Sequence, residues 1–305
     1  MDDHDSAYGG LIDADSHDQW AFGTGFDDPL AGVDTTLADG IDGPDLAAYC
    51  LMLGDDALIT AQRLAQWCTR APELEEEVAL ANIALDLLGQ ARLLLARAAA
   101  ADASIVPALP DGSPVPPEDA LAFFREDFQY RCVRLVELEN GDFAHSIARL
   151  LLLSAFRLAV LSQLRASRDP VLAAVAAKGV KELTYHRDYA ARWLVTLAGG
   201  TEESRRRVCR ALDAVWPYTE ELFAPNGVEH RLSACHAVIE SRTVRDEFDS
   251  VMSQILHAAD LDAPNVAPAA TVGGRTGRDG THTEALSYLL AEMQSVARAH
   301  PMATW

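Results

Sequence analysis

The sequence predicts an all-α protein, and three observations carry that prediction. From residue 46 onward Ala, Leu and Arg are abundant, β-branched runs are scarce, and apolar residues recur every three or four positions. Four such segments are each 20 to 30 residues long, with Gly, Pro and Asn concentrated between them. They form two hairpins joined by about 40 residues, the arrangement of a ferritin-like four-helix bundle with one long crossover, and additional C-terminal helices follow. No internal repeat of about 20 to 50 residues competes with this reading.

The elements follow in order. Residues 1–45 hold 12 Asp and seven Gly but no Glu, Lys or Arg. Such a stretch buries too little apolar surface to offset its ordering entropy and reads as an acidic, disordered arm, although Trp20, Phe22 and Phe26 could dock on a neighbour. The remainder, residues 46–305, reads as one helical domain. A first helix is expected over residues 46–67. A second opens at Pro72 with Glu73, Glu75, Glu76 and Glu77 in its first turn and runs to about residue 101. Residues 102–118 contain five prolines and read as a loop, followed by a shorter helical or irregular stretch over 118–138. Asn140-Gly141-Asp142 caps a third long helix over 143–167, and Asp169-Pro170 caps a fourth that Gly199-Gly200 ends at about residue 198. Further helices are expected at 202–223, 242–259 and 283–299.

Composition excludes several function classes. A chain of 305 residues that is 49% apolar can bury a sizeable core. Its net charge of −21 argues against a nucleic-acid binder, which needs clustered Lys and Arg. The most apolar stretch, residues 150–164, is interrupted by Arg157, so no membrane-spanning helix is expected. Nothing resembles a secretory signal, and a cytoplasmic location is the expectation. Cys50, Cys68, Cys132, Cys209 and Cys235 are odd in number, widely spaced and without a CxxC pair, which suits reduced thiols.

The polar residues on buried stripes decide what the bundle can do. A two-iron bundle takes a Glu from each of two helices and a Glu-x-x-His from each of the other two. On the first helix Asp55 and Gln62 fall among apolar neighbours, and on the second Asn82 and Asp86 do. On the fourth, Glu182 is followed three residues later by Tyr185, with His186 one step further round. The third helix has no Asp or Glu between Phe143 and Arg168, and the second has no His. At most Asp55, Asp86, Glu182 and His186 converge, two ligands short of a set of six. They therefore read as a degenerate site, most simply a hydrogen-bonded core network in which Glu182 meets an Arg, a Lys or His186.

Several stretches carry a specific resemblance. They are Ala79-Leu80-Ala81-Asn82-Ile83-Ala84-Leu85-Asp86-Leu87-Leu88-Gly89-Gln90-Ala91-Arg92, Lys181-Glu182-Leu183-Thr184-Tyr185-His186, residues 277–283, and Leu290-Ala291-Glu292-Met293-Gln294. From about residue 46 to Trp305 the sequence resembles the C subunits of bacterial phenylacetyl-CoA 1,2-epoxidases, which are multicomponent ring-epoxidising monooxygenases of phenylacetate catabolism. The resemblance implies a ferritin-like subunit that has lost most metal ligands and supports a homologous catalytic subunit holding the di-iron centre. It implies insertion of one oxygen atom of O₂ into the ring of phenylacetyl-CoA, with electrons from NADPH through a flavin and iron-sulfur reductase subunit. No cofactor and no catalytic residue are then expected in this chain.

A CoA thioester is long and anionic, so a supporting partner can hold its phosphates and adenine with Arg and an aromatic face. Gln129, Tyr130, Arg131 and Cys132, and His230, Arg231 and Leu232 in the loop after Phe223, suit that purpose, with Arg131 and Arg231 supplying charge and Tyr130 packing. The resemblance places substrate contact in the same segments, although their residues depart from the family's pattern. The alternative for both is a solvated surface loop. Apolar faces on about seven helices imply a large interface with the catalytic subunit in a pseudo-symmetric heterodimer. Lys178 and Lys181, the two lysines beside 23 arginines, lie on a solvent face or serve docking or a proton or electron route. Two other readings stay open: a di-iron oxygenase with unusual ligands, and a purely structural bundle without substrate contact.

Overall fold

A computed structural model describes residues 30 and 32–304. The first long helix, α1 (Gly43–Ala65), is capped by Asp42, whose carboxylate accepts from Asp45 N. It packs along α2 (Leu74–Ala101), which carries Glu75, Glu76 and Glu77 in its first turn. The second hairpin is α5 (Phe143–Leu164) against α6 (Pro170–Ala198), each started by an aspartate, Asp142 and Asp169. Contact between α2 and α6 joins the two hairpins. Among the described residues every regular element is helical, apart from an isolated bridge between Val272 and Arg275. The fold is all-α, as a ferritin-like bundle requires.

The bundle has two inner helices, because α1 and α5 are apolar on nearly every side and are enclosed to match. By length and composition alone α2 and α5 could each cross a bilayer, but 89% of the α5 stretch is buried in the protein against 44% of the α2 stretch. Arg157 therefore interrupts a core helix. Helix α7 (Glu202–Val215) covers α5 from outside, capped by Thr201, and α10 (Arg245–Ala258) lies across α5 and α6. The crossover between hairpins is built from α3 (Pro117–Phe123) and α4 (Arg134–Glu137), and α11 (Glu284–Ala299) packs over both.

The structure differs from the sequence reading at three places. The expected helix over 202–223 stops at Val215, because Pro217 has no N–H to continue it; a tight turn at Trp216–Tyr218 leads into α8 (Thr219–Leu222). The expected loop holding His230, Arg231 and Leu232 is a helix, α9 (Gly227–Ser233), whose Asn226 side chain accepts from Val228 N. The boundary at residue 45 falls inside α1, and Leu30 and Ile41 are already buried in the core, with Arg97 donating to Thr35 O at 2.7 Å. The rest of the acidic arm, with Trp20, Phe22 and Phe26, lies outside the described residues.

A buried ion pair fixes how α6 meets α2. Asp169 caps α6 with one oxygen, accepting from Leu172 N at 2.9 Å, and takes Arg97 Nε (3.0 Å) and Nη2 (2.6 Å) on the other. Both side chains are fully enclosed. Arg97→Met is expected to cost about 3–5 kcal/mol, since it leaves a buried carboxylate unpaired. Adding Asp169→Asn, which keeps the cap, is expected to restore a large part, as read by urea unfolding of the single and double variants.

Candidate functional site

Two clusters of polar residues bear on the candidate site. The first lies in the bundle centre, between α1, α2, α5 and α6. His186 Nε2 stands 3.0 Å from Asp86 Oδ2, and the ring is wholly enclosed. Glu182 accepts from Gln90 Nε2 at 2.8 Å and is 3.4 Å from Lys178 Nζ. Gln90 Oε1 in turn accepts from Arg157 Nε at 3.1 Å, and Arg157 Nη1 reaches Leu53 O on α1 at 2.9 Å. Glu182 thus meets a lysine, as one of the expected pairings had it, while His186 turns to Asp86.

A guanidinium therefore stands among the residues that would have to ligate metal. Burial pushes Arg157 down to about 10, which leaves it a cation at neutral pH. Two more charges of the same sign would meet it and Lys178 if a divalent ion entered. Among the described residues no three His, Cys, Asp or Glu side chains are placed to share an ion. The donors present do not fit a di-iron centre. Asp55, expected to converge with Asp86, Glu182 and His186, belongs elsewhere. Asn82 is exposed and Gln62 half-buried.

The second cluster clamps the crossover onto α1. Asp55 accepts from Arg125 Nη1 at 3.0 Å, from Arg125 Nη2, and from the backbone N of Arg131 at 2.8 Å. Its neighbour Asp56 accepts from Val133 N (2.9 Å) and from Arg278 Nη1 and Nη2 (3.0 and 2.7 Å). Burial nonetheless raises the Asp56 carboxyl above the usual range. Arg278 also donates to Met52 O and Arg131 O, each at 2.8 Å. This close seat explains two glycines: a Cβ on Gly277 would lie 2.1 Å from Cys132 O, and one on Gly280, at φ 74°, 2.1 Å from Phe128 O.

Of the two expected substrate segments, residues 129–132 form part of this clamp, whereas residues 230–232 meet α1 at Asp45. Tyr130 is fully buried, donates to Ala122 O at 2.5 Å and carries the Arg125 guanidinium 4.1 Å over its ring. Cys132 and Leu232 are buried too, and burial drives the Cys132 thiol well up, so it stays protonated. Their side chains pack the core. Gln129 is exposed, and Arg131, half-buried, donates to Phe128 O and Tyr130 O at 2.8 and 2.9 Å. Arg231 is exposed and pairs bidentately with Asp45, both contacts 2.6 Å, and this pairing lowers the Asp45 carboxyl. The exposed His230 faces Glu240 at 3.3 Å. Arg131 reaches α1 at Asp55 and Arg231 at Asp45, ten residues or roughly 15 Å apart along the helix axis.

The sequence reading missed Asp56, Gln90, Arg125, Arg157 and Arg278. Asp56 was signalled by its place beside Asp55, and Arg157 by being a lone charge in an apolar run; Arg125 and Arg278 lie in irregular segments that no period marks. His186 gives the centre a pH dependence. Burial holds its imidazole below the usual 6.5 despite Asp86, so the unfolded chain binds more protons just below that value. Stability is complete above about pH 6.5 and falls as pH drops through it. His145 is held down as well, by burial and by Arg149. His186→Gln is expected to flatten the slope of unfolding free energy between roughly pH 7 and 5.5, leaving the His145 share, in chemical denaturation across that range.

The family described as "Phenylacetic acid catabolic protein" matches residues 38–305. A relative from Escherichia coli (strain K12), the C subunit of 1,2-phenylacetyl-CoA epoxidase, is 40% identical over 260 residues, covering 85% of this chain and 99% of that protein. The first long helical hairpin, the crossover and the C-terminal helix all fall within the matched span. The chain belongs to the phenylacetic acid catabolic protein family.

Proposed function

We propose that this chain is the non-catalytic subunit of a cytoplasmic phenylacetyl-CoA epoxidase assembly, bound to a homologous subunit that holds the two irons. The observation that carries the reading is Arg157, a buried cation linking Gln90 to Leu53 O where a metal bundle would keep carboxylates free. Kinship to the C subunit of an epoxidase supplies the reaction class. The partner's iron then performs the oxygen insertion, with electrons from NADPH delivered through a flavin and iron-sulfur reductase subunit. This chain contributes a rigid wall and charge.

Two arginines suit the CoA part of the substrate. Arg231 is solvent-facing, and among the described residues its guanidinium is held by Asp45 alone, a surface pair that an anion of higher charge can displace. Arg131 is anchored by backbone contacts and presents its charge beside exposed Gln129. Tyr130 acts beneath it through packing with Arg125.

The test is iron and manganese content of the chain purified alone and of the chain co-purified with the catalytic subunit. Metal is expected only in the pair. About two metals per isolated chain, the stoichiometry of a bundle di-iron site, would make the chain an oxygenase itself. For the substrate contact, Arg131→Ala and Arg231→Ala are each expected to weaken apparent thioester affinity of the assembled enzyme by roughly threefold to tenfold, with kcat nearly unchanged. Unaltered affinity in both variants leaves a purely structural bundle.

A further inference from the structure

One end of the bundle carries two cations that the described fold does not answer. The turn between α5 and α6 presents Arg165 and Arg168, both exposed, and among the described residues no carboxylate pairs with either. Hydrogen bonds tie this turn to the segment after α9: His236 O accepts from Arg168 N at 3.1 Å, and Cys235 O from Arg168 Nη1 at 3.2 Å. His236 is exposed as well, so the two guanidinium groups and the imidazole share one ridge. The neighbouring charges already have partners. Arg231 meets Asp45, Arg242 and His230 meet Glu240, and Asp169 meets Arg97. In a chain of net charge −21, such a ridge is a local exception.

The chain itself supplies the opposite charge, and it does so at this end. Residues 1–29 hold eight Asp and no Glu, Lys or Arg. They join the described fold at Leu30, which is buried, and a little further on Thr35 O accepts from Arg97 Nη1 at 2.7 Å. The same guanidinium holds Asp169, the residue that follows Arg168, at 2.6 Å. The root of the arm therefore lies one arginine head from the ridge. Asp34 and Asp42, within that root, accept from Thr36 N and Asp45 N, so their charges serve local turns. Asp27 and Asp28 precede Thr35 by so few residues that the connecting chain spans at most about 29 Å fully extended. A coil as long as the whole arm spans roughly 30 Å, which brings Asp13, Asp15 and Asp18 within range too. Tethering over such lengths gives an effective concentration in the millimolar range.

We infer that the acidic arm, residues 1–29, docks back on its own chain, with Asp27, Asp28 and the aspartates before them set against Arg165, Arg168 and His236. The inference goes beyond the function proposed above and does not depend on it, since it needs neither substrate nor partner subunit. Tether and charge together select the occupant: an anion from solution meets the ridge only at its bulk concentration, whereas the arm is present at every moment. Each contact is a surface pair of small individual strength, so docking is reversible. It is also sensitive to salt, because the screening length falls from about 10 Å at 0.1 M to about 3 Å at 1 M.

The experiment treats the full native chain with an aspartate-directed endoprotease and follows by mass spectrometry the rate of cutting at Asp13, Asp15 and Asp18. Cutting needs the undocked arm, so its rate tracks that population. At 0.1 M salt the parent is expected to be cut about fivefold more slowly than the Arg165→Glu/Arg168→Glu variant, and at 1 M salt the two are expected to be cut alike. Comparison at equal salt removes any effect of salt on the protease. Arg165→Lys/Arg168→Lys, which keeps the charge, is expected to keep slow cutting, and Arg165→Ser/Arg168→Ser is the milder loss of it. All these changes are at exposed side chains, so melting curves should stay close to the parent. Equal cutting of the parent and the folded Glu and Ser variants at 0.1 M salt overturns the docking. A parent that is still cut more slowly than the Glu variant at 1 M salt overturns its basis in charge. Slow cutting that disappears on tenfold dilution of the chain assigns the arm to a second copy and overturns it as well.

Discussion

Two neighbouring carboxylates on α1 hold the crossover and the loop before α11 against the bundle. Consecutive residues on a helix point about 100° apart, so Asp55 and Asp56 face different segments from one place. Asp55 takes Arg125 and the Arg131 amide, while Asp56 takes Val133 N and Arg278. The crossover that joins the hairpins and the loop that leads into α11 are thereby anchored to the same turn of α1. Arg125 and Arg278 extend the anchorage to carbonyls of the crossover, at Leu121, Gln129 and Arg131, and of α1, at Met52.

This use of arginine explains the near absence of lysine. A guanidinium offers five donors in a fixed fork and can bind a carboxylate and a carbonyl at once, whereas an ammonium is a compact point charge. Arg97 joins Asp169 to Thr35 O, Arg157 joins Gln90 to Leu53 O, and Arg134 joins Glu221 to Ala270 O. Each bridges elements distant in sequence. Buried pairs of this kind return little net stability over an apolar core, but they strongly penalise any packing that separates them. Their contribution is to register, which a bundle of Leu- and Ala-rich helices otherwise leaves open.

The long helices were legible because their signals are local. Asp169-Pro170 and Gly199 bound α6 at the residues where the structure begins and ends it, and the Asn140-Gly141-Asp142 turn does the same for the start of α5. The failures share a cause. Pro217 inside an amphipathic pattern breaks the helix although the apolar period continues, and α9 is too short for a period to show. At the site, a stripe shows that Asp86 and His186 are polar residues facing inward, but it cannot show that Asp55, on the same kind of stripe, is claimed by Arg125 from a loop 70 positions away. Long-range partners have no period, and these partners separate the two clusters.

The two clusters also differ in what they demand of the rest of the protein. A bundle that holds metal must keep several carboxylates close together, and their mutual repulsion is relieved only when the ion binds. In this chain the central polar groups already meet side-chain partners. Arg157 donates to the neutral Gln90, Glu182 stands 3.4 Å from Lys178 and Asp86 stands 3.0 Å from His186. Such a centre is rigid before any partner arrives. The exposed side of α2 is the complement of that rigidity, since Gln90 on its inner face is fixed by Arg157 and Glu182 while Leu85 and Leu88 remain uncovered on its outer face. A helix locked on one side and open on the other can be bound without reordering, so association spends little free energy on conformational entropy.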